Sequence, residues 1–206
     1  MSHISTEIEN FINYVNERFI VLDEKREIVI RLNREMLKTA VEAIDLINKG
    51  EIERVPSLIN RCEKILEKIS EIIEKYEYQD KIYLLKIVGE SLREYVEATL
   101  LYNFITNGEI KFNFQRISHL GITPILEGIF DFIGEIRRYF LRLLIDNEIK
   151  KAKFILDFIN YIYNCLSKLK IRNYYIPSYK KRLDILRAQL DKCLEDYNFA
   201  LGRVRL

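Results

Sequence analysis

Residues that form turns are scarce in this sequence. Its 206 residues include only seven glycines and three prolines. Because glycine and proline are the residues that most often interrupt helices and strands, their scarcity predicts few turns and long secondary-structure elements. The apolar residues are mostly Ile, Leu, Phe and Tyr, and Lys and Glu make up much of the remainder. This mixture is typical of long amphipathic helices.

Cysteines and histidines are also few. Cys62, Cys165 and Cys193 show no paired spacing, and the chain has only two histidines. This pattern indicates neither a zinc site nor a disulfide framework, so we interpret the cysteines as small apolar packing residues. His119 stands alone in a stretch between helices, and we interpret it as structural rather than as a general base.

Long apolar runs and an excess of charge of one sign are missing as well. No apolar stretch is long enough to span a bilayer, and no cationic segment followed by an apolar run opens the chain, so we expect a cytoplasmic protein. The 33 Lys and Arg against 31 Asp and Glu give a formal net charge of +2. Any basic surface must therefore be local. A glycine-rich phosphate loop is absent, which argues against an NTPase.

The apolar residues recur at the spacing of an α-helix through most of the chain. We predict six long helices with the approximate bounds Thr6–Asn48, Pro56–Tyr76, Asp80–Ile105, Thr123–Ile145, Glu148–Leu169 and Pro177–Leu201. The only long irregular stretch covers residues 109–122. Without repeats or a linker, this pattern predicts a single all-α domain over residues 1–206, an antiparallel bundle of six to seven long helices.

Two rows of carboxylates lie at helical spacing in the middle of the chain. Each row falls on one helix face: Glu90, Glu94 and Glu97 in the third predicted helix, and Glu127, Asp131 and Glu135 in the fourth. One interpretation is a solvated surface, on which Glu135 and Arg138 would form a weak ion pair. The other is that the rows face each other across the bundle, where clustered carboxylates repel unless a cation lies between them.

The second interpretation has a definite chemistry. Carboxylate ligands without histidine or cysteine suit Mg²⁺ or Mn²⁺. Such a site can polarise a phosphodiester and activate water for in-line attack. Gly128 and Gly134 interrupt the fourth predicted helix at a cost of about 1 kcal/mol each in helix propensity relative to Ala. A glycine can offset that cost by allowing another helix or a ligand to approach closely. Spacing alone favours the solvated surface.

The residues around the carboxylates carry a resemblance to a known family. Arg93-Glu-Tyr-Val-Glu-Ala98 resembles the Gln-Glu-Tyr-Val-Glu-Ala segment of Trax, the translin-associated factor X subunit of the translin–Trax ribonuclease. The segment from Ile122-Thr-Pro124 to Asp131-Phe-Ile-Gly-Glu135 is similar to the family's Val-Thr-Pro…Leu-Leu-Gly-Val-Ala-Asp-Leu-Thr-Gly-Glu. Arg26 to Arg34 and the end of the last helix agree more loosely, so the resemblance covers most of the chain.

This resemblance to the translin/Trax family implies a translin-like all-α fold, assembly into octameric shells, and binding of single-stranded RNA or DNA. In Trax the acids of the two motifs support metal-dependent endoribonuclease activity. Carried over by position, this implies that Glu94, Glu97, Asp131 and Glu135 are catalytic and bind Mg²⁺ or Mn²⁺. Glu90 and Glu127 have no family counterpart. The linker of eukaryotic Trax is much shorter here, so the chain resembles a prokaryotic or archaeal member that acts without a separate translin partner.

Basic residues on the first helix are the candidate RNA contacts. Arg31, Arg34 and Lys38 lie at i, i+3 and i+7, and the resemblance implies that a basic face of this helix lies near the acidic site. Basic side chains neutralise phosphates and position a strand without reading its sequence. Lys180, Lys181 and Arg182 form a second basic cluster, which is more often a solvated face.

We therefore expect a Trax-like, Mg²⁺- or Mn²⁺-dependent endoribonuclease that acts on single-stranded RNA as a homo-oligomer. One alternative is a translin-like oligomer that binds single-stranded RNA or DNA without catalysis. The other is a helical interaction protein unrelated to RNA, with acidic rows that face solvent. The distance between the two acidic motifs distinguishes these hypotheses, because carboxylates that point apart cannot share a metal ion.

Overall fold

The computed structural model describes residues 2–172 and 174–204. Within these ranges the chain is α-helical with no strand, which confirms the predicted fold class. The α-helices, in chain order, are α1 Ser2–Lys49, α2 Val55–Ile73, α3 Tyr78–Asn107, α4 Phe114–Ile117, α5 Ile122–Ile145, α6 Ile149–Ser167 and α7 Tyr179–Val204. None of the helices in the described ranges is long and apolar enough to cross a membrane.

The predicted helix bounds differ from the observed ones by a few residues. The largest difference is α4, one short helix inside the stretch predicted to be irregular. The side chain of Asn113 caps it by accepting a hydrogen bond from the backbone N–H of Arg116 at 3.2 Å. Helix α5 begins at Ile122, one residue before the predicted Thr123, because Gly121 takes the cap position with a φ of 140°.

The order of packing places α3 at the centre of the bundle. Helix α1 packs against α2 and α3, α3 packs against α5, and α5 packs against α6 and α7. Arg18 pairs with Asp80 at 2.6 Å, and Asn33 accepts a hydrogen bond from Ser91. Because residue numbers increase together in these pairs, α1 and α3 run in the same direction. Helix α2 is antiparallel to α1 and α3, and α6 is antiparallel to α5 and α7. Short loops can therefore join each helix to the next.

The core follows the apolar rows that the sequence predicts, with one exception. Phe132, Phe140 and Ile136 of α5 are completely buried. The first half of α1 is helical as predicted, but most of its apolar side chains are exposed: Ile8, Phe11, Ile12 and Phe19 each expose more than half of their surface. The reason is length, since a helix of 48 residues extends past the helices that cover its second half.

Gly128 fixes how closely α5 approaches α3. A Cβ atom at this position would lie 2.6 Å from the backbone oxygen of Arg93 and 2.9 Å from Cβ of Val96. These distances are shorter than any real contact, so only glycine permits the observed approach of the two helices. Gly134, one and a half turns later, has no atom within 4 Å of a Cβ built on it. A side chain at Gly134 would therefore meet open space and no neighbouring helix.

We predict that Gly128→Ala destabilises the fold. The new methyl group would push α3 and α5 apart, at a typical cost of about 1–3 kcal/mol, and alanine's better helix propensity offsets up to about 1 kcal/mol of this. Gly89→Ala is the matched control, because Gly89 of α3 also has open space around its Cβ position. It should stabilise the protein by up to about 1 kcal/mol. Urea unfolding followed by circular dichroism measures both, and equal stabilities would refute the close contact.

Candidate active site

The structure brings all four predicted acids into one cleft. Glu94 and Glu97 reach it from α3, and Asp131 and Glu135 reach it from α5. The spacing of i, i+3 on α3 and i, i+4 on α5 turns each pair to one side of its helix. Gly128 then brings the two helices together at this level. The cleft has a volume of about 590 Å³, which is in the usual range for ligand sites.

Helix α7 and the residue before it form the third wall of the cleft. Ser178, Lys181, Arg182 and Gln189 all line it. Nη1 of Arg182 donates a hydrogen bond to Oδ1 of Asp131 at 2.9 Å, and Oγ of Ser178 donates to Oε1 of Glu127 at 3.2 Å. The second basic cluster predicted from the sequence therefore contributes two of its members, Lys181 and Arg182, to the acidic site.

Arg93 is the cation shared by the two acidic helices. Its Nη2 donates to Oε1 of Glu94 at 2.8 Å, and its Nε lies 3.3 Å from Oδ2 of Asp131. That Nε is buried and makes no hydrogen bond to any described residue, so the geometry of the second contact is that of an ion pair alone. The hydrogen bond to Glu94 is the largest of the effects that raise the pKa of Arg93.

Glu135 is held from two sides. Nη1 of Arg138 donates to its Oε1 at 2.5 Å, and Nδ2 of Asn48 donates to its Oε2 at 3.3 Å. The Glu135 side chain is only 10% exposed, whereas that of Arg138 is 67% exposed. The pair predicted as a surface contact therefore has its carboxylate inside the cleft. Asn48 therefore ties Glu135 to the end of α1, and Arg138 ties it to its own helix, α5.

Glu97 is the most perturbed group of the site. It is 7% exposed. Burial, followed by repulsion from Glu94, Asp131 and Glu135, raises its pKa to about 8, and Arg93 only partly opposes this increase. Among the described residues, none donates a hydrogen bond to its carboxyl group. At neutral pH Glu97 therefore carries a proton, and it is the group whose charge changes most readily when a cation enters.

The donor chemistry of the site fits a hard divalent cation. Four carboxyl groups supply oxygen ligands, and their mutual repulsion is the force that a cation would relieve. In the described ranges, however, no three acidic, histidine or cysteine side chains are arranged to hold a metal ion. The physical reason is that arginine side chains hold three of the four carboxylates in ion pairs. Those ion pairs would have to open for the carboxylates to converge.

The structure places the predicted RNA contacts of α1 away from this cleft. Arg31, Arg34 and Lys38 are all exposed, and they lie on the side of α1 opposite to the buried Val29 and Met36. They form a basic surface of their own, whereas the resemblance implied that this face lies near the acidic site. Whether this surface binds RNA stays a prediction.

Tyr95 lies outside the cleft, and so do three residues considered from the sequence, His119, Glu90 and Glu127. Tyr95, between the two α3 acids, is buried on the other side of that helix, where its hydroxyl donates to Glu63 at 3.2 Å. Nε2 of His119 lies 2.7 Å from Oγ of Ser70 on α2. Glu90 and Glu127 line a neighbouring groove at the start of α5. Of these, only Glu127 touches the α7 wall.

Several residues of the site were not predicted from the sequence, among them Arg93, Asn48, Ser178 and Gln189. A signal for Arg93 existed, because it lies four residues before Glu97 and therefore shares a helix face with it. No such signal exists for Asn48, which is 87 residues away from Glu135 in the chain. Its contact depends on where the end of α1 meets α5.

Comparisons with known proteins agree with this fold and place the chain in a family. The model of the Translin family matches residues 21–201. An uncharacterized protein of Methanocaldococcus jannaschii is 24% identical over 192 residues, which are 90% of this chain and 79% of that protein. The family match includes both acidic motifs and all three walls of the cleft.

Two solved structures have the same architecture. The structure of an AfC3PO–duplex RNA complex superposes with a TM-score of 0.78 and 26% identity, covering 95% of this chain and 99% of that one. The crystal structure of apo-NeC3PO superposes with a TM-score of 0.74 and 22% identity, covering 92% of this chain and 96% of that one. The second likeness is evidence for the fold alone.

We predict that Glu97 makes the stability of the protein depend on pH. Its pKa is about 8 when folded, against an ordinary value of 4.5, so the folded state holds an extra proton between these values. The contribution of Glu97 to stability is therefore fully present below about pH 5 and is lost as the pH rises to about 8, by up to about 1.4 kcal/mol per pH unit. Urea unfolding in EDTA between pH 5 and 8 measures this slope.

Two variants isolate the contribution of Glu97 to that slope. Glu97→Gln removes the titrating group and should flatten the dependence of unfolding free energy on pH. Glu90→Gln removes a carboxyl from the same helix outside the cleft and should keep the wild-type slope. A wild-type slope in Glu97→Gln would show that other groups cause the dependence.

Proposed function

The chain belongs to the translin family, and on that premise we propose that it is a metal-dependent endoribonuclease acting on single-stranded RNA. One observation carries the proposal: the acids of two separate motifs meet in one cleft around a nearly buried Glu97. If the two rows of acids were solvated surfaces, they would not have to converge in one cleft. Perturbed carboxyl groups in a cleft are typical of catalytic sites.

RNA is the substrate class that the comparisons support. AfC3PO, which is 26% identical to this chain, forms a complex with duplex RNA. Within this chain, the cleft places cationic side chains beside the carboxylates, an arrangement that can hold a phosphodiester next to catalytic groups. Single-stranded RNA follows from the resemblance to Trax, and single-stranded DNA is a further candidate, so the assay below compares these with duplex RNA.

Glu94, Glu97, Asp131 and Glu135 would hold Mg²⁺ or Mn²⁺. When bound, such an ion polarises the phosphodiester and lowers the pKa of water. The protein's own groups do the rest. Glu97 carries a proton at neutral pH and would release it as the cleft gains positive charge, and Arg93 would leave Glu94 and Asp131.

The second candidate function is a translin-like oligomer that binds RNA or DNA without cleaving it. It is favoured by the ion pairs of the cleft, because Arg93, Arg138 and Arg182 neutralise the acids without any metal ion. In that case the acids would stabilise the packing of α3, α5 and α7. The cleavage assay decides between the two functions.

Association of copies of this chain is part of the proposal. The exposed apolar row of α1, formed by Ile8, Phe11, Ile12 and Phe19, is of the kind that marks an interaction surface. The resemblance implies an octamer, and we propose a cytoplasmic homo-oligomer of that kind. Sedimentation measures the number of copies.

We predict that Glu94→Gln and Asp131→Asn abolish cleavage of a labelled single-stranded RNA in Mg²⁺ or Mn²⁺. Each variant removes one charged ligand but keeps the size of the side chain, and we expect a loss of about 100-fold or more. EDTA should abolish cleavage by the wild type. Single-stranded DNA and duplex RNA of the same sequence serve as comparison substrates.

The controls for this assay are a variant outside the cleft and a test of folding. Glu90→Gln should cleave as the wild type does, and circular dichroism should show all variants to be folded. Undiminished cleavage by folded Glu94→Gln and Asp131→Asn would remove these residues from the active site. RNA binding with no cleavage by any form would establish the non-catalytic function instead.

We further predict that Arg93→Gln tightens the binding of Mn²⁺. The Arg93 guanidinium lies between Glu94 and Asp131, where it competes with a divalent cation for the same oxygens. Removing it should lower the Kd for Mn²⁺ by about tenfold, a conservative share of the Coulomb energy at this distance. Isothermal titration calorimetry measures the Kd without any substrate.

Arg61→Gln is the matched control for Arg93→Gln. It removes the same charge from α2, where Arg61 pairs with Glu35 outside the cleft. Its Kd for Mn²⁺ should equal that of the wild type. An unchanged or weaker Kd in Arg93→Gln would mean that Arg93 does not compete with the metal ion.

A further inference from the structure

We propose that Lys181 and Arg182 of α7 hold the phosphates of the RNA substrate in the acidic cleft, a role that sequence analysis assigned to α1. The inference rests on the proposed function, because it concerns the substrate of that site. Its starting observation is geometric: α7 forms the wall that faces the acids of α3 and α5.

The α7 wall has the chemistry of a phosphate-binding surface. Ser178, Lys181, Arg182 and Gln189 line the cleft at the spacing of one helix face, so a cation pair lies between a hydroxyl and an amide. All four side chains can donate hydrogen bonds to phosphate oxygens, and none of them is specific for a base. The wall extends over about 16 Å, the length of eleven residues of helix.

Lys181 is available for such a contact. It is exposed at the mouth of the cleft, and in the part of the chain that the structure describes it forms no ion pair. The three other cations that line the cleft, Arg93, Arg138 and Arg182, are paired with carboxylates. A lysine beside an acidic site without a carboxylate partner is free to bind an incoming anion. Its position suits a phosphate that enters from solvent.

Arg182 is paired with Asp131, one of the proposed ligands of the divalent cation. Its Nη1 donates to Oδ1 of Asp131, and its Nε lies 3.9 Å from Oε1 of Glu127. If Asp131 turns to a divalent cation, Arg182 loses its main partner while staying 26% exposed at the cleft. Its planar guanidinium can then bind a phosphate through two nitrogen atoms.

The charge balance of the cleft points the same way. The lining contains four carboxyl groups, Glu94, Glu97, Asp131 and Glu135, and as many cations, Arg93, Arg138, Lys181 and Arg182. With all four acids ionised, these charges cancel. A divalent cation bound by the ionised carboxylates would leave two positive charges in excess in the cleft. An anionic strand is then attracted into the cleft.

The test is binding of a fluorescently labelled single-stranded RNA in Mg²⁺, measured by anisotropy over a range of salt concentrations. All proteins carry Glu94→Gln as the parent background, which removes cleavage. We expect Lys181→Gln to weaken binding by about five- to tenfold and to lower the slope of log K against log salt by about 0.7, the value for one phosphate of a single strand. Arg182→Gln should have a similar effect, and Arg182→Lys should restore the slope.

Lys192→Gln is the matched control, because Lys192 lies on the same helix outside the cleft and pairs with Glu195. It should bind RNA with the parent's affinity and slope. The combined variant of Arg31, Arg34 and Lys38 to Gln measures the α1 surface in the same assay. If Lys181→Gln matches Lys192→Gln in affinity and slope, the inference is wrong, and this holds even if Arg182→Gln fails to fold.

Failure of the proposed function gives a different result. In that case the wild type cleaves no RNA in Mg²⁺ or Mn²⁺, whereas the binding assay still reports whether Lys181 contributes to the salt slope. If the wild type cleaves RNA but Lys181→Gln leaves the slope of log K against log salt unchanged, the proposed function stands and only the α7 contact is refuted. The two experiments therefore separate the substrate contact from the reaction.

Discussion

The close approach of α3 and α5 at Gly128 is the constraint on which the rest of this structure depends. Any side chain at this position would collide with the backbone of Arg93 and with Val96. Because the helices meet here, the acids one turn further along, Glu97 and Asp131, come to lie across from each other. Without this contact each motif would be an ordinary polar helix face.

The close approach has an electrostatic consequence. Four carboxyl groups in one cleft repel each other, and burial makes the repulsion stronger than it would be in water. The protein balances this repulsion in two ways. Arginines from three helices pair with three of the acids, and the fourth acid, Glu97, keeps a proton because its pKa is raised to about 8. In the proposed function, a divalent cation and an RNA phosphate would replace these internal partners.

Particular residues show how much of the site the sequence could reveal. The spacing of Glu94 with Glu97, and of Asp131 with Glu135, already placed each pair on one helix face. The sequence around them resembled Trax, and this resemblance, rather than spacing, indicated that the two faces meet. Lys181 and Arg182 were visible as a basic cluster, but nothing in the chain indicates that α7 brings them to Asp131, which is some fifty residues away. Asn48 is the extreme case, since its partner Glu135 is 87 residues distant.

Helix positions, their approximate ends and the face on which each side chain lies were determined by the sequence, because these properties depend on neighbours three or four residues apart. The burial of Glu97, the pairing of the carboxylates with Arg93 and Arg182, and the exposure of the first half of α1 were decided only by the tertiary structure. Each of these depends on which helices pack together and on how they are positioned relative to each other along their axes. Local spacing does not contain that information, because it arises from contacts between residues far apart in the chain.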